Sequence, residues 1–160
     1  MKLYKLENDL KKFISLFLIV ISCGVTIGLI YVYSTTTFFS VGITDHYAGS
    51  DLIDEFDIPL KYPKPITEML LTTHNHVISF SFIFFLVGII FYFNTIITGK
   101  IKFFLLVEPL ISTIFTFGSL WGIRFIDKSF IIITILSSSI LYLSFYFFVL
   151  KLLYELLIKR

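Results

Sequence analysis

The chain has 160 residues, of which 57% are hydrophobic and 15% charged, and its formal net charge is +2. Soluble domains carry about a quarter charged residues, so this composition excludes an ordinary water-soluble domain. The single cysteine, Cys23, excludes an intrachain disulfide and a cysteine-based metal cluster, and the scattered basic residues predict no nucleic-acid partner.

Four long apolar segments dominate the chain, and each can cross a hydrocarbon layer about 30 Å thick. The predicted spans cover residues 13–33, 67–95, 103–124 and 129–151. Backbone polar groups in hydrocarbon must be hydrogen-bonded within their own segment, so runs of this length predict helices. The short connections after the second and third spans predict an all-α integral membrane protein, a single membrane domain over residues 1–160 folded as a four-transmembrane-helix up-down bundle.

The distribution of basic residues predicts the orientation of this bundle. Nine of the 13 Lys and Arg residues lie in the two terminal tails and in the connection after the second span, and four lie on the other side. The positive-inside rule therefore predicts that both termini are cytoplasmic. The long loop at residues 34–64, with a net charge of −3, is then the outer loop.

All three histidines are predicted to lie near the outer membrane surface. His46 falls in the outer loop, and His74 and His76 lie where the second span enters the lipid. Histidine is the commonest protein metal ligand and also ligates haem iron, so the three predict a site for haem or for a copper or zinc ion. His74 and His76 are separated by about 200° around a straight helix, so they cannot chelate one ion there.

His76 is the better candidate to face the bundle interior. Four polar residues recur at helical spacing along one face of the second span: Glu68, Thr72, His76 and Ser79. His74 shares its face with apolar residues and is expected to be peripheral, while His46 can approach either histidine from the loop. Simpler interpretations stay open for all three, as packing or solvated residues, and proton handling is a further one for His76.

The third span contains a carboxylate, Glu108, about 9 Å from Lys102 at helical rise. A charge at this depth is costly, so Glu108 is expected to face the bundle interior, to pair, or to stay protonated. A polar line continues beyond it: Ser112, Thr116 and Ser119. The line predicts either helix–helix contacts or a proton or ion path. Trp121 and Arg124 at the far end predict an interfacial anchor.

Three further patterns are interpreted as packing or pairing. Gly24 and Gly28 form a Gly-x-x-x-Gly pattern in the first span, which predicts a face for close helix approach. The serine triplet 137–139 and Tyr142 predict helix contacts in the last span. That helix is expected to continue past the lipid as Leu152–Ile158, with Lys151 and Glu155 spaced to pair.

Two segments resemble known membrane proteins. The stretch Glu68–Val77, with His46–Gly49 and Lys64, resembles uncharacterised bacterial four-helix inner-membrane proteins that share a His-Tyr-x-Gly loop, a lysine and a Thr-His-x-His helix entry. This resemblance implies a bacterial inner-membrane location and no particular activity. The Thr-His-x-His pattern is also similar to the haem-ligand helix of haem-copper oxidase catalytic subunits, although this chain lacks the other histidine helices of such a subunit.

Three functions are compatible with these features. The first is a small inner-membrane subunit of a redox or respiratory complex, active in electron transport, that binds haem or a metal ion through His76 with support from His46 or His74. The second is a structural or assembly subunit that contacts lipid and packs against other membrane subunits or its own copies. The third is a proton or cation transport component using Glu108 and His76. No sequence motif predicts a stand-alone enzyme.

Overall fold

The described residues form five α-helices and no strand. The structure, a computed structural model, describes residues 2–37, 39–51 and 58–159, so residues 52–57 of the predicted outer loop lie outside the description. The helices are α1 (Asn8–Thr36), α2 (Ser40–Ala48), α3 (Ile66–Tyr92), α4 (Gly99–Phe125) and α5 (Ile131–Leu157), with short 3-10 turns at Leu3–Lys5 and Lys128–Phe130.

Four of these helices, α1, α3, α4 and α5, are long and apolar enough to cross a membrane. This confirms the predicted all-α architecture with four spans. The helix α1 begins at Asn8 and ends at Thr36, several residues beyond the predicted span at both ends. The difference arises because apolarity marks the part of a helix that crosses lipid, whereas helical hydrogen bonding continues into the polar flanks.

Both chain termini lie at the same end of the bundle. Leu3 is buried against α5, and the Lys159 Nζ lies 5.2 Å from the centroid of the Tyr4 ring. We call this the terminal end, which also holds residues 93–98 between α3 and α4. The opposite end, with residues 37, 39–51, 58–65 and 126–130, is the loop end. An ion pair of 2.6 Å between Lys128 and Asp51 links its two connections.

The interface between α4 and α5 contains a series of hydroxyl contacts. Thr116 donates to the Ser137 hydroxyl at 2.9 Å, and the Ser119 and Thr134 hydroxyls are 2.7 Å apart. Such small side chains let two membrane helices approach closely and bond across their interface. The polar line predicted on the third span therefore faces α5 along the bundle.

Glu108 lies half-buried at the same interface. Its carboxylate accepts hydrogen bonds from Ser112 on its own helix and from Ser144 on α5, the latter at 2.8 Å. The carboxylate thus has a partner on each oxygen, which offsets part of the cost of its place inside the span.

A helix within the predicted outer loop, α2, was not expected from the sequence. The turn from α1 into α2 requires glycine at position 42, because a Cβ there would overlap the Thr36 carbonyl. Gly49 ends α2 with a φ of +86°, a left-handed conformation that other residues rarely adopt, and its position lies against Pro63. These two glycines set how the chain enters and leaves α2, which lies at the loop end.

The predicted pairing of Lys151 with Glu155 is wrong. Glu155 is completely buried, and its carboxylate accepts bonds from the Thr95 backbone N–H at 2.9 and 3.1 Å and from the Thr95 hydroxyl at 2.6 Å. The same hydroxyl accepts a bond from Lys159 at 2.7 Å. Lys151 instead lies over the Phe147 ring at 5.6 Å. Glu155 therefore fixes the α3–α4 connection to α5.

Candidate functional site: an interhelical cavity

A cavity of about 1100 Å³ lies at the loop-end half of the bundle. It separates α1 from α3 and α4, and α2 lies at its mouth. Along α1 it extends from Gly24 to Thr36, which corresponds to about 18 Å at 1.5 Å per residue. The cavity exists because α1 packs mainly against α5 and α2 and does not close onto α3. Its volume is at the upper end of typical ligand pockets, about 300–1,000 Å³.

Most of the exposed wall of the cavity is apolar surface, but about half of the lining residues also carry a polar group, most of them on α3 and α5. The polar stripe predicted on the second span faces the cavity at Thr72, His76 and Ser79. Tyr142 and Tyr146 face it from α5. Sites for small organic ligands are likewise mainly apolar, and polar groups in their walls orient the ligand.

His76 lines this cavity. Its Nδ1 lies 2.8 Å from the Thr72 carbonyl oxygen, which can only accept, so Nδ1 carries a proton. The other ring nitrogen, Nε2, has no hydrogen-bond partner among the described residues. The ring centroid lies 5.1 Å from that of Phe117 and 6.3 Å from that of Phe80. His76 is therefore positioned to accept a hydrogen bond or to ligate a metal.

The other two histidines differ in their relation to the cavity. His74 is exposed on α3 and does not line the cavity, whereas His46 on α2 lies at the cavity mouth. Among the described residues, no group of three or more His, Cys, Asp or Glu side chains is arranged to hold a metal ion. The structure therefore brings His76 and His46 to one cavity but at different positions along it.

A second, smaller hollow of about 280 Å³ adjoins the cavity mouth. It is lined by His46, Lys61, Tyr62, Lys64, Pro65 and Glu68. The Lys64 Nζ lies 3.4 Å from the His46 Nε2. Burial lowers the pKa of His46, and the positive charges of Lys64 and Lys61 lower it further, against a smaller opposing effect of Glu68. Its neighbour Tyr47 is mostly buried, which raises the pKa of that phenol to about 12.

The lowered pKa of His46 predicts that acid destabilises the fold. Below the ordinary value of 6.5, the unfolded chain takes up a proton that His46 resists in the folded state, so unfolding becomes more favourable as pH falls. We expect the midpoint of thermal unfolding in detergent to fall between pH 7.5 and 5.5, and His46→Gln to reduce this fall. His74→Gln serves as the control, and an equal reduction in both variants would contradict the assignment.

The predicted interfacial anchor consists of Trp121 and Arg124. Both residues form hydrogen bonds, one to α3 and one to the segment just before it. The Trp121 indole N–H donates to the Thr73 hydroxyl at 2.9 Å. The Arg124 Nε donates to the Lys64 carbonyl at 3.2 Å. These bonds hold the start of α3 against the end of α4 and so fix the wall that carries His76.

The predicted close-approach face of α1 is not formed by the described residues. A Cβ at Gly24 or at Gly28 would have no heavy atom within 4 Å, and both residues line the cavity. The pattern therefore marks open space beside α1 instead of a helix contact. The contact of α1 with α5 uses other residues, such as the pair of hydroxyls of Thr26 and Tyr146 at 2.7 Å.

Sequence reasoning missed the contribution of α5 to the cavity. Ser138, Tyr142 and Tyr146 are spaced four apart, which places them on one helical face, and all three line the cavity. This spacing was a usable signal, but the serines and Tyr142 were assigned to helix packing. The place of Tyr47 in the cavity wall could not be predicted in this way, because it depends on α2, which the sequence did not predict.

Four membrane-crossing helices around an interhelical cavity define a small polytopic integral membrane protein. A family model described as a transmembrane helical domain matches residues 37–160, so the chain belongs to this family of transmembrane domains. The match covers α2 to α5 and begins where α1 ends. No curated protein and no solved structure matches the chain significantly. None of these comparisons shows a likeness to haem-copper oxidases.

Proposed function

We propose that this protein is a small bacterial inner-membrane subunit of a redox or respiratory complex, with cytoplasmic termini, and that it binds haem in the cavity with His76 as the iron ligand. The observation that carries the proposal is the hydrogen bonding of His76, which lines the cavity. Its Nδ1–H donates to the Thr72 carbonyl, and none of the described residues bonds to its Nε2. A histidine that ligates a metal characteristically donates its other N–H to a carbonyl or carboxylate in this way.

The surroundings of His76 suit a flat, largely apolar cofactor. The Phe80 and Phe117 rings both pack near the imidazole and near each other, with their centroids 5.8 Å apart, and the cavity is large enough for a ligand of this size. An apolar pocket also limits solvent access to a bound metal and so tunes its redox potential.

The donor set favours haem over a bare copper or zinc ion. A protein-bound zinc ion normally takes three or four protein ligands, and the described residues offer no group of three or more suitable side chains. Haem iron is already held by the four porphyrin nitrogens, so one histidine is sufficient on the protein side. His46 at the mouth and His74 outside the cavity are therefore not required as iron ligands.

The proposal is tested by loading the full chain, purified in mild detergent, with haemin. We expect a Soret band shifted from that of haemin in empty detergent micelles, and we expect His76→Ala to lose the shift. His74→Ala is the matched control, because it removes an imidazole that is two residues away on the same helix and does not line the cavity. Equal spectra for His76→Ala and the wild type would refute His76 as the iron ligand.

A structural or assembly subunit without a cofactor is the second candidate function. The observation that favours it is the α4–α5 interface, where Glu108 and five hydroxyl side chains form three hydrogen bonds across the helices. On this hypothesis the chain packs against further membrane subunits or its own copies, and His76→Ala leaves the assembled complex intact. No observation on the described residues favours proton or cation transport over these two functions.

A further inference from the structure

The side chain of Lys64 lies where the cavity and the hollow meet. Lys64 and His46 line both spaces, whereas Lys61 and Glu68 line the hollow alone. A group bound in the cavity and extending toward the loop end therefore reaches the Lys64 ammonium before it reaches the outer hollow.

Two other elements of the fold hold Lys64 in this position. Its backbone N–H donates to the Tyr47 carbonyl at 3.0 Å, and its carbonyl accepts from the Arg124 Nε at 3.2 Å. Lys64 is thus tied to α2 and to the end of α4 in addition to preceding α3. The backbone that carries the ammonium is held in place before any ligand arrives.

The positive charge of Lys64 has no counter-ion among the described residues. Their only ion pairs within 4 Å are Lys12 with Asp9 and Lys128 with Asp51. The Lys64 Nζ instead contacts the His46 Nε2 at 3.4 Å and lies 5.2 Å from the Tyr47 ring centroid. The half-buried ammonium therefore has no direct ion pair to offset its desolvation, although Glu68 lines the same hollow.

The partner His46 does not supply a negative charge or a competing positive one. Its lowered pKa keeps the ring neutral at pH 7, so its Nε2 accepts from Lys64 and the pair carries a net charge of +1. Three protons on Nζ and one histidine acceptor leave donor capacity for an anion. A carboxylate from a ligand would satisfy both the charge and the free N–H groups.

We propose that Lys64, positioned by His46, binds a carboxylate of the ligand that occupies the cavity. The inference rests on the proposed function in that the ligand is taken to be haem, whose propionate groups supply the carboxylates. It assigns an orientation to the bound ligand, with its acidic edge at the loop end and its apolar body between α1 and α3.

The experiment compares haemin with haemin dimethyl ester, which lacks the free carboxylates. We expect the wild-type chain to bind haemin at least about tenfold more tightly than the ester, because tenfold is about 1.4 kcal/mol, close to the lower limit for a hydrogen bond to a charged group. Lys64→Met is expected to abolish the preference, and Lys64→Arg to retain it. Lys61→Met is the matched control, because Lys61 lines the hollow but not the cavity.

Two outcomes overturn the inference: equal affinity of the wild-type chain for haemin and its ester, or an undiminished preference in Lys64→Met. The same comparison with metal-free protoporphyrin and its dimethyl ester, followed by fluorescence in His76→Ala, separates this inference from the function. A preference for the free acid without any iron ligation supports the carboxylate site and rejects the haem function. Iron ligation by His76 without a preference for the free acid supports the haem function and rejects the carboxylate site.

Discussion

Gly28→Leu is expected to weaken haemin binding by about tenfold or more, because overfilling a formed cavity costs about 1–3 kcal/mol. Gly28 lines the cavity, and a Cβ there meets no heavy atom within 4 Å. The leucine side chain therefore enters the space proposed for the ligand without displacing a neighbouring helix. The dissociation constant is measured by titrating the detergent-purified chain with haemin and following the Soret band.

Gly118→Leu provides the matched control for this experiment. Position 118 on α4 also has no heavy atom within 4 Å of an added Cβ, but it does not line the cavity. Both substitutions improve helix propensity by a similar amount, about 0.8–1 kcal/mol, so neither is expected to loosen the fold. Wild-type affinity in Gly28→Leu, or an equal loss in Gly118→Leu, would show that haem does not occupy this cavity.

The four membrane helices were predictable because the thickness of a bilayer imposes a simple rule on composition. A helix needs about 20 apolar residues to cross the hydrocarbon, and each of the four segments meets that length. The same rule predicted that Glu108 faces the bundle interior, pairs or stays protonated, and the structure gives its carboxylate bonds from Ser112 and Ser144. These features depend on one helix and its solvent, which a sequence describes well.

The cavity was not predictable, because it depends on where α1 lies relative to the other helices. The Gly24–Gly28 pattern was interpreted as a contact face, yet a small residue is equally compatible with a contact and with open space. The short helix α2 was also missed, since nine residues without a clear period carry little signal. Consequently the sequence identified His76 as the inward histidine but not the space that it faces.

The partner of His46 shows the same limit. The sequence placed His46 near two other histidines in a general sense, and the structure places it beside Lys64, 18 residues away along the chain. That contact depends on the return of the chain through Gly49 and Pro63 to the start of α3. A contact between residues this far apart in the chain produces no periodic pattern in the sequence, so the sequence does not predict it.

Glu155→Ala is expected to lower the free energy of unfolding by about 2–4 kcal/mol, the largest stability effect predicted here. Glu155 has no exposed surface, and its removal leaves the Thr95 backbone N–H and hydroxyl without their acceptor. The loss also releases the α3–α4 connection from α5. The apparent midpoint of thermal unfolding in mild detergent, compared with that of the wild type, measures the effect.

Two substitutions distinguish this buried role from the surface pairing expected from the sequence. Glu155→Gln keeps one carbonyl acceptor for Thr95, so it is expected to cost less than Glu155→Ala. Lys151→Ala is expected to change the stability by no more than about 0.5 kcal/mol, because Lys151 does not pair with Glu155. If Lys151→Ala were as destabilising as Glu155→Ala, the two side chains would act as an ion pair, and the acceptor role of Glu155 toward Thr95 would have to be abandoned.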